Sequence, residues 1–171
     1  MKYLYTFFAL FITLFLSAQT SPITFDEAWT VNGADWTIKE DEGSNVSIET
    51  ATDGNKYLQV VYNDSGKDWQ NAQIKLTNAM GQNYFSAGPG KTVTFDLWSD
   101  HTGDTGPGSY TGMLKLEQGV DGAPIHEFSF PVSGTGWESV TIDLSTDKGG
   151  AAVADGDYGL IVLFTNYGTG N

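Results

Sequence analysis

Past residue 22 the chain never sustains a helical period. Its apolar residues alternate one on, one off in short runs, and clusters of Gly, Asn, Asp and Pro separate those runs. Such a run can bury one face only as a strand, because successive side chains of an extended backbone point to opposite sides. The pattern predicts ten strands at most: "ITFDE" (23–27), "DWTIKE" (35–40), "NVSIET" (45–50), "KYLQVVYN" (56–63), "WQNAQIKLT" (69–77), "KTVTFDLWS" (91–99), "TGMLKLEQ" (111–118), "IHEFSFP" (125–131), "WESVTIDL" (137–144) and "YGLIVLFT" (158–165). Regular short strands with turn chemistry between them predict an all-β chain arranged as a β-sandwich or jelly roll of two antiparallel sheets.

Alternation also assigns faces. Val93, Phe95 and Leu97 share one side of their strand, which sends Asp96 and Trp98 to the other. Ala72, Ile74 and Leu76 point inward, so Trp69, Asn71, Gln73 and Lys75 are expected outward. Val140, Ile142 and Leu144 form a third inward set. In "GMLKLEQ", Leu114 and Leu116 face the core while Met113, Lys115 and Glu117 face away. The run "GLIVLF" is apolar on both sides, as expected of a central strand covered twice or of one whose outer face lines a groove. The glycine-rich stretch from Ser99 to Gly112 is expected to project as a long loop at one end.

The N-terminal "MKYLYTFFALFITLFLSAQ" places a lysine before an apolar run that ends in small residues. It reads as a secretory signal peptide, residues 1–18, too short and too weakly flanked for a spanning helix. Residues 19–171 then form one exported domain, long enough to fold around a core of its own. The chain has no cysteine, so burial rather than disulfides must hold it. Its eight cations, all lysine, stand against 21 acids for a net charge of −13. That field repels nucleic acid, anionic membranes and sulfated or uronate polymers, and leaves neutral ligands and cations. After "LFTNYGTGN" a further strand would be expected, so the sequence reads as a fragment whose sheet lacks its last strand. A monomer tethered to further domains is the corresponding expectation.

Catalytic motifs are missing. There is no nucleophile elbow, zinc-protease helix motif, cysteine nucleophile or phosphate-cradling loop, and His101 and His126 stand in separate contexts. A glycosidase needs only two carboxylates, but no "E-x-D-x-x-E" strand occurs, and 21 scattered acids make coincidental pairs inevitable. A non-enzymatic chain is expected.

The elements "KTVTFDLWSD", "GMLKLEQGVDGAPIHEFSF", "GTGWESVTIDLS" and "YGLIVLFTNYGTGN", with "ITFDE", "DGNKYLQVVYN" and "DWQNAQIKLT" before them, resemble the galactose-binding-like jelly-roll modules of secreted marine-bacterial polysaccharide-degrading proteins. Those modules are related to carbohydrate-binding module families four and nine. The resemblance implies two five-stranded antiparallel sheets, one of them concave, and non-catalytic binding of a glycan. It also implies that the strands carrying Trp69, Lys115 and Glu127 share a sheet, which would bring Trp69, Asn71, Gln73, Lys115, Glu117 and Glu127 to one face.

A neutral sugar, of which a β-glucan is the expected type, offers apolar C–H faces and a rim of hydroxyls that both donate and accept. Trp69 would be the stacking platform and the polar groups the hydroxyl partners. The alternative is that Lys115 and Glu117 pair across strands with Glu127 and Lys75 and only keep the sheet soluble. The domain would then be a structural or cell-surface interaction module. Trp98 and Tyr110 flank the long loop and could form a second, end-on site; the alternative, that Trp98 covers a sheet edge, is the one expected. Trp29, Trp36 and Trp137 are expected to be structural. Similar modules hold a structural calcium, for which Asp26 and the turn from Asp53 to Asn55 would supply hard oxygen ligands here, unless that turn is an ordinary Asx turn.

Overall fold

A computed structural model describes residues 25, 29–31, 37–41, 43–62, 70–76, 85–100, 110–117, 125–132 and 135–164. Among them are twelve strands and no helix: β1 (Thr30–Val31), β2 (Thr37–Asp41), β3 (Asn45–Thr50), β4 (Lys56–Val61), β5 (Asn71–Lys75), β6 (Phe85–Ala87), β7 (Thr92–Asp100), β8 (Tyr110–Glu117), β9 (Ile125–Val132), β10 (Thr135–Asp143), β11 (Gly156–Tyr158) and β12 (Leu160–Phe164). The signal peptide and the strand expected at 23–27 lie outside the described residues, apart from Phe25.

The strands build an all-β sandwich. One layer is a six-stranded sheet in the order β1-β2-β5-β12-β8-β9, antiparallel except for the β1–β2 pair. Opposite it stand three antiparallel two-stranded ribbons, β3–β4, β7–β10 and β6–β11. A single core joins the layers. The sheet contributes Ile38, Ile74, Ile161, Leu114, Leu116, Phe128 and Phe130, and the ribbons contribute Val46, Ala87, Leu97, Val140, Ile142 and Tyr158. In the longer alternating strands β5, β9 and β10 the burial follows the two-residue period of the sequence.

The chain's most apolar strand has the most interior place. β12 lies between β5 and β8, and its residues are buried on both sides: Ile161 toward the core, Val162 and Phe164 on the opposite face. The continuous apolar run "LIVLF" fits such a strand, because neither face meets water.

Gly112 sets how closely β8 and β9 approach on the core side. A Cβ there would overlap the ring of Phe130, its cross-strand partner. The space left by the missing side chain lets Phe130 lie over β8. Phe130 then meets Phe95 of β7 edge-on, with centroids 5.4 Å apart, and so links sheet to ribbon.

Three strands, β1, β6 and β11, were not legible in the pattern; at two or three residues each they are too short for alternation to register. Strand β7 runs on to Asp100 and β8 starts at Tyr110. The projecting segment expected from Ser99 to Gly112 is therefore strand at both ends, and its middle, with His101, lies outside the described residues.

Candidate polar face of the six-stranded sheet

Strand register sets the candidate site. Lys39 of β2 pairs with Gln73 of β5, Gln73 with Val162 of β12, Val162 with Lys115 of β8, and Lys115 with Glu127 of β9. These residues form one rung across the solvent side of the sheet, with neighbouring strands about 4.8 Å apart. Sequence separations of up to 88 residues collapse into a single line of side chains. Glu117, two residues along β8, lies on the same side.

The polar groups on this rung occur as two ion pairs. Lys115 Nζ lies 2.6 Å from Glu117 Oε1, and Lys148 Nζ lies 2.6 Å from Glu127 Oε2. The four side chains are a quarter to a third exposed, so water reaches them. The pairing differs from the expected cross-strand alternative: Lys115 turns along its own strand, and Glu127 takes Lys148, a residue outside the predicted set. Lys148 follows β10, in a turn that the sequence pattern connects with neither β8 nor β9.

That turn is fastened to the sheet edge. The backbone N–H of Lys148 donates to the Glu127 carbonyl at 2.7 Å, which carries the lysine side chain over the rim of β9 to within 3.5 Å of Met113 Sδ. Asp147 anchors the turn from the core side. Its Oδ1 accepts the N–H groups of Gly149 and Ala151, both at 2.9 Å, and its Oδ2 lies 3.2 Å from His126 Nδ1. The hydrogen bond with His126 first, and that from the Ala151 N–H next, hold the Asp147 carboxyl below its ordinary range. His126 is buried against Tyr158, and burial pushes the Tyr158 hydroxyl up.

The centre of the face is apolar. Met113, Val162 and Phe164 form a second buried cluster, with Leu160 packed against it. The face is therefore a buried apolar stripe with polar flanks.

The predicted residues fare unequally. Gln73, Lys115, Glu117 and Glu127 come together on this face. Asn71 shares the strand but is corrected to a buried residue, 3% exposed, whose Nδ2 donates to Asp41 Oδ2 at 2.9 Å. Its carbonyl also accepts the Ser44 hydroxyl at 2.6 Å, so it serves the β2–β5 corner. Trp69 lies outside the described residues. Of the expected calcium ligands, Asp26 also lies outside them. Asp53 and Asn55 sit in the exposed β3–β4 turn, where Asp53 accepts both the backbone N–H and the side-chain amide of Asn55. Gly54 between them holds φ +90°, a turn conformation suited to glycine. Among the described residues no three acidic or histidine side chains gather as a metal site.

A groove of about 550 Å³ runs along the other side of β9, toward β10, lined by Phe128, Phe130, Val140 and Ile142 with Asp143 and Asp147 at one end. Asp143 accepts the Ser145 N–H at 2.8 Å, and its bonds with Ser145 hold its carboxyl low.

The pairing of two tryptophans escaped the sequence reading. Trp98, sent outward by alternation, and Trp137, expected at a structural corner, are 50% and 64% exposed and are direct cross-strand partners on the β7–β10 ribbon. Alternation does send Trp98 outward. No local signal connects it with Trp137, because the partnership depends on a strand register set 39 residues away.

Comparison with family models, curated proteins and solved structures returned no match for this chain.

Proposed function

We propose that this domain is a non-catalytic carbohydrate-binding module of jelly-roll type, exported after loss of residues 1–18, that holds a neutral, β-glucan-like polysaccharide on the flank of its six-stranded sheet. The observation that carries the proposal is the array Glu117–Lys115–Glu127–Lys148. Donors and acceptors alternate along it, and its charges cancel within a chain of net charge −13. Each ammonium has further N–H groups and each carboxylate a second oxygen beyond those used in the ion pairs. Vicinal hydroxyls, which donate and accept at once, can be bridged by such an array without a net charge on the ligand. Gln73 extends it across the rung, and Trp69, two residues before Asn71, takes the stacking role.

The mechanism is reversible docking with weak affinity at each site. In a longer parent protein, docking raises the local concentration of tethered domains at the polysaccharide. Salt has little effect on a neutral ligand.

Native affinity electrophoresis of the chain through soluble β-glucan, galactomannan and an anionic polysaccharide tests the proposal. Retardation by a neutral glycan, weakened in Lys115→Met/Glu117→Gln with unchanged melting, is the expected result. A folded sample that no neutral glycan retards would overturn it. A structural role is favoured by one observation: Lys115 of the ion pair is the direct cross-strand partner of the buried Val162. On that reading the same double variant lowers the melting temperature and alters no retardation.

A further inference from the structure

The β7–β10 ribbon needs only one of its faces for folding. Val93, Phe95 and Leu97 of β7 and Val140 and Ile142 of β10 all pack on the core. The other face carries Trp98 beside Trp137, then Asp96 beside Ser139, then Thr94 beside Thr141. All six side chains are exposed or half-exposed. Cross-strand partners have Cβ atoms about 4.5–5.5 Å apart, so the indoles are adjacent, and each further rung lies roughly 7 Å along the ribbon. The Thr94 and Thr141 hydroxyls are already ordered, with their oxygens 3.0 Å apart. Exposing half or more of two neighbouring tryptophans gives no folding benefit, because burial is where an indole stabilises a fold.

We infer that this ribbon face is a second carbohydrate platform, on which Trp98 and Trp137 stack pyranose rings of a neutral polysaccharide while Asp96, Ser139, Thr94 and Thr141 engage its hydroxyls. It rests on the proposed glycan binding but uses the opposite layer of the sandwich. Charge selects the occupant. A second copy of the chain brings another −13, and an anionic membrane or polymer meets Asp96 and Asp143 on this face. A neutral polyol meets no repulsion, and its hydroxyls can donate to Asp96. A flat pair of aromatic rings followed by short polar side chains also matches a ligand with apolar faces and a hydroxyl rim.

The test uses the whole chain in native gels containing soluble β-glucan or galactomannan, comparing wild type, Trp98→Ala/Trp137→Ala and Lys115→Met/Glu117→Gln. Melting curves check that each is folded, and sedimentation without glycan reports self-association. The double tryptophan variant should stay folded and lose about tenfold in apparent affinity, equivalent to ~1.4 kcal/mol. Trp98→Phe/Trp137→Phe should restore part of the loss. Wild type retarded and the alanine variant retarded equally would overturn the second platform and leave the sheet-face proposal standing. Wild type retarded by no neutral glycan would remove the sheet-face proposal and this one with it. Self-association that the tryptophan variant abolishes, with glycan binding unchanged, would overturn the platform in favour of a second copy as occupant.

Discussion

The solvent side of the six-stranded sheet and the solvent side of the β7–β10 ribbon are both outer faces of one sandwich, yet they store apolar surface in opposite ways. On the sheet the apolar residues Met113, Val162 and Phe164 sit in the middle, on β12 and β8, and are buried, with paired charged side chains on the same side. On the ribbon the apolar residues stand open to water and the polar ones are short. The difference follows strand position. A central strand such as β12 has neighbours on both sides whose long lysine and glutamate side chains can fold over it. Among the described residues β7 and β10 pair only with each other, so no third described strand flanks the ribbon to supply cover. The comparison separates apolar residues that hold the fold from apolar residues left available to a ligand.

The sharpest way to break this comparison is to place the same kind of change on both faces. Val162→Asp puts an unpaired carboxylate into the buried stripe and should cost at least about 3 kcal/mol of unfolding free energy, enough to unfold a marginal domain. Trp137→Ser on the ribbon should change stability by no more than about 0.5 kcal/mol. Urea unfolding of both variants decides the matter, and similar losses for the two would mean that the ribbon tryptophans are structural after all.

A smaller effect tests how the layers are joined. Gly112→Ala drives a methyl group into the Phe130 ring and should cost about 1–3 kcal/mol through strain in the Phe130–Phe95 contact. Loss of near-ultraviolet dichroism at lower urea, with the far-ultraviolet signal following in the same transition, is the expected signature.

The smallest effect concerns the turn that carries Lys148 to the sheet face. Asp147 has a folded-state carboxyl held below its ordinary value of 3.8. A depressed carboxyl contributes stability in full above that value and loses it as pH falls through the lowered one. The difference in melting temperature between wild type and Asp147→Asn should therefore shrink on acidification below about 3.8. A difference that grows on acidification would contradict the His126 and Ala151 contacts as its source.

Much of the strand framework was legible because alternation is a local property. The strand expected at 45–50 has those bounds in the structure, and the inward sets of β5, β7 and β10 are the buried ones. Asn71 shows where locality fails. Alternation puts it on the outer side of β5, but Asp41 and Ser44 reach it from the neighbouring strand and the turn after it, and they enclose it. Lys148 was invisible as a site residue for a related reason: its value lies in a backbone hydrogen bond to a strand 21 residues earlier.

The sequence by itself determined that the chain is all-β, which residues of each long strand face inward, and that any ligand must tolerate a strongly acidic protein. These depend on nearest-neighbour geometry and on summed charge, both of which can be read from residues in order. Only the tertiary structure decided which outward residues become neighbours. It set Gln73, Lys115 and Glu127 on one rung, closed the middle of that rung with Val162, and brought Trp98 against Trp137. Strand order and register arise from packing one core out of distant segments, and no short window of sequence contains that information.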